Sequence, residues 1–340
     1  MENNKNLPPQ AILMQMINGK HISRCVSLMA ELGISDLLLE GAKSIKHLAE
    51  KTDSKEDPLN RVLRLMTRLG IYTEVKEGFY ENNSLSELLG SQHPHSVKKY
   101  AQWMGTGFHW NVTRDLDYSV KTGIPSILKD TDKSNPFEVL LEHPEAQGVF
   151  QDAMTGMSTA EGYLVAEAYD WSAHQKIIDV GGGHGTLAKI IAEQTPNSKV
   201  SIFDIPEVIE QTKKIVEQTG LTNLTAVPGS FFESIPTPVE LIIMKYIIHD
   251  WNDEKSIEIL NNCKSALSEN GKILLCEMMI TNGPESIPAQ IFDIEMLIGP
   301  GGKERTQKQF EELFEKAGLR LIRIIDTKSP LKLIEAESTN

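Results

Sequence analysis

The stretch IIDVGGGHGTL, Ile177 to Leu187, sets two apolar residues and an acid ahead of four glycines within five positions. A chain gives up side chains at that density where its backbone must turn tightly or approach something closely. A phosphate, a nucleoside and a neighbouring helix are all open as the thing approached. The rhythm around the stretch decides the fold. From Lys176 short β-branched runs alternate with helical ones: KIIDV, a helix at 185–194, KVSIFD, a helix at 206–218, LTAVPG, VELIIMKYIIHD, a helix at 253–268, and GKILLCEMMI. Such alternation means parallel strands with crossover helices, an open α/β sheet. LRLIRIID and PLKLIEAE are joined at Thr327 to Pro330 with too few residues for a crossover, so they are expected as an antiparallel hairpin at the end of the sheet.

Ligands of open α/β sheets bind beyond the carboxyl ends of the strands, which is where the glycine loop falls. Its spacing, Gly181-x-Gly183-x-Gly185, has Thr186 where a dinucleotide fingerprint would have its third glycine, and a glycine turn alone is a weak signal. Asp204 ends the second strand, 19 positions beyond Gly185. A carboxylate there accepts hydrogen bonds from both ribose hydroxyls of a nucleoside, and it is also placed to cap the helix at 206. Asp179, directly before the glycines, would repel a pyrophosphate and suit a ligand with an ammonium group. S-adenosylmethionine (SAM) has a ribose, an adenine, an amino-acid head and a cationic sulfur, and no phosphate.

The chain has 340 residues, enough for two domains of unequal size. Its 40% hydrophobic and 24% charged residues are ordinary for a globular protein. The net charge of -13 argues against non-specific nucleic-acid binding, which relies on Lys and Arg. The opening MENNKNLPPQ carries no apolar signal core, and no apolar run reaches the roughly 20 residues of a membrane span. Cys25, Cys263 and Cys276 share no metal-like spacing, so no metal and a reduced, cytoplasmic setting are expected.

Residues 1 to about 10 read as a loose tail. Ala11 to Glu40 is helical with more than one apolar stripe, so it is expected to be either deeply buried or, as the favoured reading, buried by a second copy of the chain. Residues 44–82 read helix, turn, helix, ribbon, with Asp57 as N-cap, Pro58 at the first helical position, Gly70 as the stop and a hairpin turning at Glu77–Gly78. That is a winged-helix pattern, and it raises a DNA-binding regulator as a rival. Arg61, Arg64 and Arg68 on its second helix are offset by Glu50, Asp53, Glu56 and Asp57, which counts against that rival. Residues 94–165 are mostly helical and rich in Trp and Met. Trp110, Met154, Met157, Phe292 and Met296 are candidates for an apolar slot that takes a flat ring, with core packing as the alternative.

DVGGGHG (179–185), FDIPEV (203–208), GSFFESIP (229–236), MKYIIHDWNDE (244–254), LLCEMMI (274–280) and GPGGKERTQKQFEELFEKAG (299–318) together carry a resemblance over nearly the whole chain. It is to the dimeric SAM-dependent O-methyltransferases of small molecules, whose members include plant caffeic acid-type and bacterial polyketide-tailoring enzymes. The resemblance implies a Rossmann-like class I methyltransferase sheet and a homodimer formed by a mainly helical winged-helix domain. The expected division is a dimerisation domain at 1–95, a helical linker to the substrate pocket at 96–165 and a SAM-binding domain at 166–340. It also implies Gly181 and Gly183 under the methionine moiety, Asp204 on the ribose, Phe231 against adenine, Lys245 near the cofactor and Ser158 at its methionine end. One position departs: Ser230 follows Gly229 where the family has an aspartate for the adenine amino group, and a serine hydroxyl is shorter and uncharged.

Methyl transfer from a sulfonium is an in-line displacement with an activated leaving group, so alignment is the larger contribution. A phenol with a pKa of about 10 is mostly un-ionised at neutral pH, and a histidine is the natural base. His249 lies between the strand LIIMKYII and the helix opening at Asn252–Glu254, at the ligand edge, and it matches the family's base. Glu277 ends the next strand. Glu304 lies in the glycine-rich loop before a helix opened by a Thr306–Gln309 capping box. Both match the family's orienting pair, and Asp250 is expected either to contact substrate or to cap the following helix. O-methylation of an aromatic hydroxyl is the expectation. C- or N-methylation, hydroxylation and decarboxylation on the same fold are the alternatives, and relatives of that kind often lack the complete set of histidine and glutamates.

Overall fold

The computed structural model describes residues 7–339. The chain divides into two units, one of residues up to Asn111 with His143–Met157, the other of Val112–Glu142 with Ser158 onward. Residues 96–165, expected as one helical linker, are helical over most of their length but are shared between the two units.

In the first unit the N-terminal helical stretch is interrupted. Helices run over Pro9–Ile17, Gly19–Leu32 and Ile34–Leu37, and Gly33 ends the second of them at φ +66, a conformation that glycine adopts without penalty. Residues 9 and 10 of the expected loose tail are helical, and its residues 1–6 lie outside the described residues. Leu13, Met14, Met16 and Ile17 are all exposed. The helix–turn–helix follows as Ile45–Lys51 and Glu56–Arg68. The second of these starts earlier than expected. Its N-cap is Lys55, not Asp57, and Asp57 instead joins Glu56 in the first turn, where acidic groups favour the helix dipole. Strands β1 (Lys43–Ser44), β2 (Tyr72–Lys76) and β3 (Phe79–Asn82) form a small antiparallel sheet in the order β1-β3-β2. Met29, Leu48, Leu63, Met66, Tyr72 and Tyr80 fill the core beneath it, each under 2% exposed.

The second unit is the open sheet. Its strands are β4 (Lys176–Val180), β5 (Lys199–Asp204), β6 (Leu224–Pro228), β7 (Val239–Lys245), β8 (Leu267–Ile280), β9 (Arg305–Thr306), β10 (Leu319–Asp326) and β11 (Leu331–Ser338). The order is β10-β11-β8-β7-β4-β5-β6, with β9 on β8. Pairing is parallel from β8 to β6, and the β10–β11 hairpin joins antiparallel at one edge, as its short connection required. Helices on both faces bury two apolar layers. Leu187, Ile190 and Ile191 pack with Val200 and Leu241 on one side, and Ile259, Cys263, Phe310 and Phe314 pack with Ile178 and Met244 on the other. Burying each large aliphatic side chain contributes about 1.5–3 kcal/mol.

One strand ends before the sequence pattern does. The apolar run of β7 continues through Ile248, yet the strand stops at Lys245, where Tyr246 takes φ +57 and Ile248–Asp250 form a short 3-10 turn. The cause is tertiary. The Glu277 carboxylate, on the neighbouring strand, accepts hydrogen bonds from the amides of Ile247 and Ile248 at 3.1 and 2.8 Å, and these bonds draw the chain out of the sheet.

Candidate active site

That turn places His249. Its ring is 5% exposed, and Nδ1 lies 2.7 Å from Glu304 Oε1 and 3.7 Å from Glu277 Oε2. Glu277 and Glu304 are almost wholly buried, and the second oxygen of each has no hydrogen-bond partner. The three facing atoms lie within 4.8 Å of one another, a grouping that a metal ion would also accept, but 2.7 Å is a hydrogen-bond distance. The other ring nitrogen, Nε2, lies 3.5 Å from Asp250 Oδ1. The rings of Tyr246 and Phe292 lie nearly parallel to the imidazole, with centroids 5.1 and 5.7 Å away. Glu304 is held in turn by its amide donating to Asp293 Oδ1 at 2.8 Å.

Burial pushes the Glu277 carboxyl up to about 7 and that of Glu304 up to about 8, the latter aided by the charge of Asp293. Burial likewise raises Asp250 to about 6. Between the ordinary carboxylate range and pH 7–8 the folded chain therefore holds protons that the unfolded chain has released. Stability then falls as pH rises through that window. Glu277→Gln keeps an oxygen for the two amides and removes the ionisation. It should flatten the slope and leave the variant more stable than wild type at pH 8, read from denaturant curves at several pH values. A slope identical to wild type would contradict this assignment.

The glycine loop takes three left-handed turns, at Gly181, Gly183 and Gly185. A Cβ on Gly181 would come within 2.3 Å of Ile247 Cδ1 and 3.9 Å of Phe231 Cε1, whereas Gly183 faces open space. Gly181→Ala is thus strained twice, and it should cut cofactor affinity by about 10-fold or more; equal S-adenosylhomocysteine affinity in calorimetry would count against a role for the loop in binding. Asp204 stitches the loop to the next strand. Its Oδ2 accepts from Gly183 N–H at 2.9 Å and Oδ1 from Ile205 N–H at 2.8 Å, and the helix N-cap is Ile205, not Asp204. Asp179 is 3% exposed and lies under Gly182, where burial pushes its carboxyl up to about 7. Ser230 Oγ accepts from Phe232 N–H at 3.2 Å, and Lys245 Nζ donates to Ser158 Oγ at 2.9 Å.

In the second unit the structure gathers His249, Glu277, Glu304, Asp250 and Phe292 around one ring, with Met296 buried on the same helix as Phe292, Ile287–Ile298. Trp110, Met154 and Met157 belong to the first unit. Three residues escaped the sequence reading. Tyr246 reads as one more apolar member of a strand, and Glu161 as an exposed helix position. Arg305 reads as surface charge, yet it is 0% exposed, and its guanidinium donates to the carbonyls of Ile248 and Trp251 and to Asp253, pinning both ends of the histidine turn. Only its place directly after Glu304 gave a signal.

An acid at the end of β5, an open face over Gly183 and a lysine paired to a neutral hydroxyl fit a zwitterionic nucleoside such as SAM. Comparison with known proteins agrees. Residues 114–320 match the model of the O-methyltransferase domain, and residues 14–92 that of the O-methyltransferase dimerisation domain. The chain belongs to the O-methyltransferase family. This methyltransferase is 35% identical to the phenazine O-methyltransferase PhzM of Lysobacter antibioticus, over 98% of both chains. It is 30% identical to the mitomycin biosynthesis 6-O-methyltransferase of Streptomyces lavendulae, over 94% of this chain and 92% of that one. The structure of human N-acetylserotonin methyltransferase in complex with SAM superposes with a TM-score of 0.89 at 25% identity, over 99% of both chains. The sheet is accordingly that of a class I methyltransferase, and SAM is its cofactor. Among the described residues no helix is long and apolar enough to cross a membrane.

Proposed function

We propose that this methyltransferase moves the methyl group of SAM to a hydroxyl of a small aromatic metabolite, with His249 as general base oriented by Glu277 and Glu304. The buried hydrogen bond from His249 Nδ1 to Glu304 carries the reading. With the ring proton on Nδ1, Nε2 is free to take the hydroxyl proton, and Glu304 holds the ring in place. SAM supplies the methyl group on its sulfonium. Asp204 would receive the ribose hydroxyls, Gly181 and Gly183 would floor the methionine moiety, and Phe231 with Ser230 would border the adenine. Lys245 and Ser158 would meet the methionine carboxylate, while Asp179 would support the loop from below. Phe292 offers the acceptor an aromatic face beside the base.

Two relatives support an aromatic acceptor through their names, phenazine and 3-amino-4-hydroxybenzoate. The division into 1–95, 96–165 and 166–340 belongs to the same reading, with the first part making a homodimer; the exposed apolar side chains of Pro9–Ile17 support it. The test is a panel of phenols and fused-ring hydroxy compounds with methyl-labelled SAM, followed by mass spectrometry of the product. Methyl on oxygen is the expected result. Methyl on carbon or nitrogen, or an oxidised or decarboxylated product, would replace the reading.

A further inference from the structure

The helix Pro144–Ala166 enters the second unit at Ser158, and three of its residues meet the ligand edge there. Ser158 accepts from Lys245 at the end of β7. Gly162 lies against the helix that follows the glycine loop: a Cβ on it would stand 3.1 Å from Ile190 Cδ1 and 3.9 Å from Thr186 Cγ2. Between those two anchors is Glu161. Its Oε1 accepts from the Tyr246 hydroxyl at 3.0 Å, and its Oε2 is buried without a hydrogen-bond partner.

A buried carboxylate oxygen left without a donor is costly, and folded chains rarely keep one without a use. Here a second cost stands beside it. Tyr246 holds φ +57, a conformation that side-chain-bearing residues seldom adopt, and strain of this kind gathers at functional sites. The same residue stacks on His249 and directs its hydroxyl at Glu161. Asp179, which the sequence offered for an ammonium group, is shielded beneath Gly182.

The amino-acid end of SAM is a zwitterion, so its site needs groups of both signs. Lys245 and Ser158 supply a cation and a hydroxyl for the carboxylate, and the ammonium still needs an anion. We propose that Glu161 receives the α-ammonium of the cofactor on Oε2, with Tyr246 as the positioning residue that occupies Oε1. The assignment rests on the reading that Ser158 and Lys245 hold the methionine end. Burial pushes the Glu161 carboxyl up while the charge of Lys245 and the Tyr246 hydrogen bond oppose that rise, and an arriving ammonium opposes it further.

The experiment is calorimetry on the full chain with two ligands. S-adenosylhomocysteine has the amino-acid end, and 5′-methylthioadenosine keeps the adenosine and the thioether but lacks that end. Glu161→Gln should weaken S-adenosylhomocysteine by about 10- to 100-fold, the loss of one charge-assisted hydrogen bond, and leave methylthioadenosine unchanged. Tyr246→Phe should give a smaller loss with the same selectivity, and it serves as the test if Glu161→Gln fails to fold. Equal binding of S-adenosylhomocysteine by wild type and Glu161→Gln overturns the proposal. Equal weakening of both ligands overturns it too, because that marks a general structural role. An intact cofactor affinity with a raised acceptor KM moves Glu161 to the acceptor site and also overturns it. Wild type that binds methylthioadenosine as tightly as S-adenosylhomocysteine would defeat the underlying reading of Ser158 and Lys245 instead.

Discussion

His249→Ala should lower kcat by about 10²- to 10⁴-fold, the range of a lost general base, while S-adenosylhomocysteine still binds. The imidazole touches none of the residues assigned to the cofactor except through the ring of Tyr246, so binding and turnover separate in this variant. The deficit should also shrink as pH rises toward the acceptor's own pKa, about 10 for a simple phenol, because an acceptor that ionises unaided needs no base. The measurement is a pH–rate profile of both proteins with one phenol, beside calorimetry. Wild-type turnover at neutral pH, or a deficit that is the same at every pH, would remove His249 from the role of base. Circular dichroism guards against a folding defect, since the deletion leaves a gap between Tyr246 and Phe292.

Asp204→Ala should cost about 2–4 kcal/mol of cofactor affinity, roughly 30- to 1000-fold in Kd. Two losses combine. The carboxylate would no longer receive the ribose hydroxyls, and the amides of Gly183 and Ile205 would lose the acceptor that joins the glycine loop to the end of β5. Asp204→Asn separates them. Its amide oxygen keeps one backbone bond and gives up the charge, so its affinity should fall between the other two proteins. The readout is calorimetry with S-adenosylhomocysteine at one ionic strength. An Asp204→Ala chain that binds like wild type would show that the acid serves the fold alone.

The strand-and-helix alternation after Lys176 was legible because a period of two and a period of 3.6 bury different sets of residues. KIIDV, KVSIFD and LRLIRIID are strands over the residues read from the pattern. The limits of helices were less legible. Asp57 has the right chemistry for an N-cap, but the helix begins two residues earlier than that cap implies, at Glu56. The break at Gly33 inside a long apolar stretch shows the same thing, since one left-handed glycine outweighs the propensity of its neighbours.

The site divides in a similar way. Sequence alone determined which residue types stand near the ends of the strands: an acid before the glycines, an acid at the end of β5, a histidine after β7, a glutamate towards the end of β8 and another beyond it. Those positions follow from chain order, because a parallel sheet sends every strand's carboxyl end to one edge. Only the tertiary structure decided how the groups face one another. It buried Asp179 under its own loop, took Ile247 and Ile248 off the sheet with the Glu277 carboxylate, and used a fully buried Arg305 to hold the carbonyls on either side of the histidine turn. It also brought Glu161 to Tyr246, 85 residues away in the chain. Contacts of that kind form between residues remote in sequence, and a local pattern carries no trace of them. They depend on which side chains the packed sheet and helices leave within hydrogen-bond reach, and on the cost of leaving a buried polar group unpaired.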